Sequence, residues 1–128
     1  MKKTMNPLLS SVKEIRLNHW ENGTVKTRAE VDPQTGLLDG RYVEWQAGGP
    51  YKTTGTYAQD YRVGIHVDYA ENGRAQTVLE YAYTLEEVLK DPLPRRKIYH
   101  NRDGSVLELT RRADGTYRTR HLPELGPN

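Results

Sequence analysis

The sequence predicts a small, mostly antiparallel β-protein built from consecutive hairpins, and three observations predict it. Four residue pairs, Asn22-Gly23, Asn72-Gly73, Asp103-Gly104 and Asp114-Gly115, stand between segments in which apolar and polar residues alternate. The stretch Gly40-Arg41-Tyr42-Val43-Glu44-Trp45-Gln46-Ala47-Gly48-Gly49 is echoed by Gly64-Ile65-His66-Val67-Asp68-Tyr69-Ala70-Glu71-Asn72-Gly73, an offset of 24 residues at every matched position. Nine Tyr and two Trp accompany regularly spaced Val, Leu and Ile, although the chain holds no Phe and its mean hydropathy is -0.87. Rings with one polar edge suit a thin sheet whose two faces are both partly wet.

The elements follow in order. Asn-Gly and Asp-Gly pairs accept positive φ, so each is expected to form a tight two-residue type I′ hairpin turn. Between them, 24–31 sets Val25, Thr27, Ala29 and Val31 against Lys26, Arg28 and Glu30. Residues 74–82 set Ala75, Thr77, Leu79 and Tyr81 against Gln76, Val78 and Glu80. A period of two marks a half-buried strand. Further strands are expected at about 14–21, 41–47, 50–58, 64–70, 96–101, 105–112 and 116–122, by the same pattern. Two short helices are expected. One would start at Asn6-Pro7, with proline in the first helical position. The other has capping-box spacing at Thr84-Leu85-Glu86-Glu87 and stops at Asp91-Pro92.

At 128 residues the chain makes one domain. Clear repeats occupy 16–83, a helical insert 84–94, and divergent basic hairpins 95–122. With no Cys, disulfides and thiolate metal sites are excluded. The start, Met1-Lys2-Lys3-Thr4-Met5-Asn6-Pro7-Leu8-Leu9, is basic and then apolar, but the apolar run is too short for a signal-peptide core or a membrane span. A cytoplasmic, bacterial-type setting is the expectation. Net charge is +2, unevenly spread. Residues 1–94 carry 11 Lys and Arg against 13 Asp and Glu, and residues 95–128 carry 8 against 4. The basic end reads either as a solvated edge that discourages sheet-to-sheet association or as a surface for an acidic partner.

Gly40, Tyr42, Trp45 and Gly49, followed by Gly64, His66, Tyr69, Asn72 and Gly73, give the chain a resemblance to the MORN-variant repeat proteins. This group includes bacterial antitoxin and immunity proteins. Gly55-Thr56-Tyr57 and the partial unit His19 to Gly23 fit the same pattern. The resemblance covers about residues 16–83. His66 departs from it by replacing the expected large ring, and Pro33-Gln34-Thr35-Gly36 lengthens one loop. It implies a curved antiparallel sheet of MORN-like hairpins and a role in interaction, sometimes the neutralising of a toxin.

His19, His66, His100 and His121 lie on different expected strands without metal-ligand pairings, so no metal or cofactor is expected. Glu44 and Asp68 occupy one slot of successive units, beside Tyr42 and His66. This set would permit acid–base work in a cleft, although carboxylates at a repeated exposed position also serve solubility alone. Alternation puts Val43, Trp45, Ile65, Val67, Tyr69, Leu79 and Tyr81 on a covered face. An open face is expected to carry Arg28, Glu30, Tyr42, Glu44, Lys52, Thr54, His66, Asp68 and Glu80. Of these, Arg28, Tyr42, Glu44, His66, Asp68 and Glu80 are the expected partner-binding residues, since Tyr and Arg amid mixed charge are typical of interfaces. The leading reading is a non-enzymatic immunity or antitoxin-like protein that binds and blocks a toxin or secreted effector. The alternatives are a scaffold module that takes anionic lipid or nucleic acid through Arg95, Arg96, Lys97, Arg111, Arg112, Arg118 and Arg120, and a small hydrolase using Glu44, Asp68 and His66.

Overall fold

The computed structural model describes residues 12–122. Among them are nine strands and one helix: β1 (Glu14–His19), β2 (Val25–Val31), β3 (Leu38–Trp45), β4 (Tyr51–Ala58), β5 (Tyr61–Tyr69), β6 (Ala75–Glu80), α1 (Leu85–Lys90), β7 (Arg96–His100), β8 (Val106–Arg111) and β9 (Tyr117–Leu122). All nine strands form one open, curved antiparallel sheet in which spatial order equals chain order. The expected sheet of consecutive hairpins is therefore the observed one. Residues 95–122 continue the same sheet, since β7 pairs with β6. The helix expected at Asn6-Pro7 lies outside the described residues.

Five hairpin tips share one hydrogen-bond pattern, at 20–24, 46–50, 70–74, 101–105 and 112–116. In each, the first N–H donates to the fifth carbonyl, and the glycine N–H at the fourth position donates back to the first carbonyl. This is a type I turn closed by a left-handed glycine, the three-residue loop, and not the expected two-residue type I′ turn. Only the glycine has positive φ (+90 at Gly23, +85 at Gly73), so the preceding Asn or Asp does different work. Its side chain accepts the N–H two residues on: Thr24 to Asn22 (2.9 Å), Arg74 to Asn72 (3.0 Å), Ser105 to Asp103 (2.9 Å) and Thr116 to Asp114 (2.9 Å). Hydroxyls of Ser105 and Thr116 also donate to Asp103 and Asp114, which holds both carboxyls below their usual range. The tip at 46–50 has Gly48 in that position, and Pro50 offers no N–H to accept.

The type I′ turn occurs where no glycine announced it. Gln59 and Asp60 take φ of 47 and 72, and β5 consequently begins at Tyr61, earlier than expected. Left-handed geometry costs a non-glycine residue on the order of 1 kcal/mol. Neighbouring loop residues compensate. The Asp60 N–H donates to Leu38 O (2.8 Å), and Leu38 N–H to Asp60 Oδ1 (2.6 Å). Gln59 donates from its backbone to Asp39 Oδ1 (3.0 Å) and from its amide to Asp32 Oδ2 (2.9 Å).

Irregularities recur 24 residues apart. Gly40 and Gly64 both have positive φ (125 and 66), and register shifts by one residue at Glu44/Trp45 and again at Asp68/Tyr69. A like shift falls at Asn18/His19. The pairings of β7 with β8 and of β8 with β9 run without one.

Helix α1 is capped at the expected residue, Thr84, with Glu87 bonded to its hydroxyl and not to its backbone N–H. Thr84 Oγ1 accepts the Glu87 N–H (3.2 Å) and donates to Glu87 Oε1 (3.0 Å). Its one buried residue, Val88, packs with Val63, Tyr81 and Ala82, flanked by Ala58 and Leu79. The helix thus plugs the middle of the sheet at β5 and β6.

One glycine is required by contact and not by φ. A Cβ on Gly55 would stand 2.7 Å from His66 Cγ, inside the ring that lies over it. Gly55→Ala is therefore expected to cost about 2–3 kcal/mol. Gly48→Ala, whose Cβ would approach only Pro50 at 4.0 Å, should stay within about 0.5 kcal/mol of wild type. Urea unfolding of the two variants measures this, and equal midpoints would contradict it.

Candidate interaction surface

Pairing fixes which side chains share a face. Tyr42 stands opposite Ala29 and Gly55, Glu44 opposite Thr27 and Thr53, Asp68 opposite Thr53 and Thr77, and His66 opposite Leu79. Tyr42, Glu44, His66 and Asp68 therefore lie on one face, as expected. Arg28, in contrast, pairs with Val43, which pairs with Thr54, which pairs with Val67. Glu80 pairs with Ile65. Arg28, Thr54 and Glu80 thus belong to the opposite face, and the six expected partner-binding residues are split four and two. Leu79, assigned from alternation to the covered face, joins His66. Ile65, assigned to the same covered face, is 49% exposed.

On the His66 face a row of rings crosses four strands. Tyr42 meets Tyr57 at 5.8 Å, Tyr57 meets His66 at 5.1 Å, and His66 meets Tyr81 at 5.5 Å, with interplanar angles of 80°, 89° and 80°. Edge-to-face contact directs the positive ring edge at a negative ring face. His66 is only 4% exposed, so it is not available to a partner, contrary to its placement on an open face. Its Nε2 lies 2.7 Å from the Thr56 carbonyl oxygen and 3.3 Å from the Thr56 amide nitrogen, and the shorter contact, to an oxygen that can only accept, calls for the proton on Nε2. Nδ1 is then a buried acceptor without a partner. Burial lowers the His66 pKa below its ordinary 6.5, because an imidazolium there would lose its water.

The carboxylates beside it are engaged otherwise. Asp68 Oδ1 accepts from Thr53 (2.9 Å), and Glu44 accepts from the Tyr42 hydroxyl (3.3 Å) and pairs with Lys52 (3.6 Å). Burial, then the Glu44 charge, raises the Tyr42 hydroxyl above its usual pKa. His66, Glu44 and Asp68 line neither the cavity at the hairpin tips nor the one beside Arg118. No group of three or more His, Asp or Glu is placed to hold a metal among those residues.

The larger cavity, about 300 Å³, lies where three hairpin tips meet and is lined by Trp20, Gln46, Ala47, Lys52, Tyr69 and Glu71. Gln46 builds it: its amide donates to Tyr51 O (3.0 Å) and across to Ala70 O (2.8 Å), tying the second tip to the third. Trp45, Tyr51 and Tyr69 stack beside it at 6.0 and 5.6 Å, and Lys26 sits 4.8 Å over the Trp20 ring. The Trp20 indole N–H is buried without a partner. Sequence reading did not assemble this site, although a ring next to each of these three tips was its signal.

The seven basic residues expected to form one polyanion surface are also divided. Lys97 and Arg111 flank the Tyr117 ring at 4.5 and 5.5 Å, Arg95 pairs with Glu87 (2.9 Å), and Arg111 also pairs with Asp91 (3.3 Å). Arg96 and Arg120 lie elsewhere, on either side of Glu108.

No protein-family model matches the chain, and no curated protein matches its sequence. No helix among the described residues is long and apolar enough to cross a membrane.

The buried histidine gives a pH dependence. Unfolded His66 takes up a proton near pH 6.5 while the folded ring, with its lowered pKa, stays neutral, so the unfolded state binds more protons in that interval. Stability is fully present above about pH 6.5 and falls as pH drops toward the folded pKa. Thermal unfolding from pH 7.5 to 5 should show this decline, reduced in His66→Gln. An unchanged slope in that variant would contradict it.

Proposed function

We propose that this protein is an interaction module of the immunity or antitoxin type, which neutralises a partner toxin or effector by binding it directly. The observation that carries the binding reading is the ring-lined cavity at the hairpin tips. It combines Trp20 and Tyr69 with Gln46, Lys52 and Glu71, an aromatic floor with both signs of charge at its rim. Pockets of this kind receive the anchor side chains that dominate binding energy, and the rim charges then set orientation and selectivity. Tyr51, 47% exposed beside the cavity, extends the platform.

The immunity class rests on the resemblance to MORN-variant repeats. Its support is the 24-residue spacing shared by Gly40 and Gly64 and by the two register shifts. Binding needs no cofactor and acts by occlusion.

Co-expression with the product of the adjacent gene, with growth and co-purification as readouts, tests the proposal. Protection and a stable complex are expected from the wild type. Lys52→Glu and Glu71→Lys should each weaken the complex by about tenfold while leaving the melting temperature unchanged. No complex, or one indifferent to both reversals, would contradict it.

A further inference from the structure

A second built site lies on the face opposite His66, in the last three strands. Glu80 stands opposite Arg96, Arg96 opposite Thr110, and Thr110 opposite Arg118, while Glu108 stands opposite Ile98 and Arg120. Side chains join these positions into a continuous line. The Tyr83 hydroxyl donates to Glu80 (2.8 Å), Glu80 lies 3.9 Å from Arg96, Arg96 Nε lies 2.9 Å from Glu108 Oε2, and Arg120 Nη2 lies 3.0 Å from Glu108 Oε1. Glu108 is 9% exposed. A carboxylate so far from water is retained only with paired charges, and two guanidiniums supply them.

A cavity of about 200 Å³ opens against this line, lined by Glu108, Thr110, Arg118 and Arg120. Arg118 has no acidic partner among the described residues. Residues two apart on a strand share a face, at about 7 Å, so Arg118 and Arg120 present adjacent guanidiniums. Arg120 gives one nitrogen to Glu108, which leaves its other N–H groups for the cavity. Thr110, opposite Arg118 on the neighbouring strand, adds a hydroxyl. The balance is two arginines against one carboxylate that Arg96 already half neutralises, which favours an anion. Planar guanidinium forks match pairs of phosphoryl oxygens, and the volume admits several waters' worth of ligand.

We propose that this cavity binds the phosphoryl group of a phosphorylated small molecule or lipid headgroup, held by Arg118, Arg120 and Thr110 with Glu108 fixing the arginines. The site does not depend on the partner-binding reading above, from which it is separated by several strands.

NMR titration of the full chain tests it, following arginine Nε–H signals. The probes are inorganic phosphate at constant ionic strength and, separately, phosphatidylcholine vesicles doped with phosphatidic acid. Saturable shifts of Arg118 and Arg120 are expected. Arg118→Ala should weaken binding by about tenfold or more. Arg102→Ala, which removes the same charge from the 101–105 tip, should leave it unchanged. Saturation by free phosphate supports a soluble ligand, and saturation by the vesicles alone supports a lipid headgroup. Both uphold the site if Arg118→Ala weakens them to that extent. Absence of saturation with either probe, or equal weakening by Arg102→Ala, would overturn the proposal.

Discussion

A sheet one layer thick has no second sheet to bury its side chains against, so its stability must come from rows of side chains lying across the strands. The row Tyr42–Tyr57–His66–Tyr81 meets that constraint in the middle of this molecule, where four strands are joined by three edge-to-face contacts. Gly55 makes it possible by leaving the floor on which the His66 ring lies. The adjoining cluster of Val63, Tyr81, Ala82 and Val88 depends on the same arrangement, because Tyr81 belongs to both. Helix α1 covers the end of the row with Val88, its one buried residue.

The rest of the sheet extends from this centre with less support. Its outer strands rely on repeated tips that satisfy their own backbone groups, through the glycine turn and the Asn or Asp side chain. The polar line through Glu80, Arg96, Glu108 and Arg120 does for β6 to β9 what the rings do for β3 to β6. Charge in place of rings accounts for two of the C-terminal arginines, since the buried Glu108 takes Arg96 on one side and Arg120 on the other. The sheet also leaves two kinds of exposed feature: an aromatic cavity at the tips and an arginine cavity near the last strand.

Strand positions were legible in the sequence because alternation is a property of each strand alone. Strands β2 (Val25–Val31) and β6 (Ala75–Glu80) fall within the segments 24–31 and 74–82 that alternate in sequence, and Thr84 caps the helix as its spacing implied. The relation between strands was not legible. Register decides which face of β2 joins which face of β3, and a one-residue difference moves every side chain across. Arg28 and Glu80 were misplaced for that reason. The Gln59-Asp60 turn was also hidden, because its positive φ is held by Asp32, Asp39 and Leu38, distant in sequence, and not by a glycine. His66 was legible as a ring substitute in an aromatic slot, and its burial followed from Gly55, which alternation does not weigh. The tip cavity needed the pairing of Gln46 with the neighbouring hairpin before its members came together.

The central claim is that the ring row over Gly55 is the most cohesive part of the molecule. Native-state hydrogen exchange of the full chain tests it residue by residue. The slowest amides should lie in β4, β5 and β6 and exchange only with global unfolding, while those of β1 and β9 open at lower free energy. Equal or greater protection in β8 and β9 than in β5 would contradict the account.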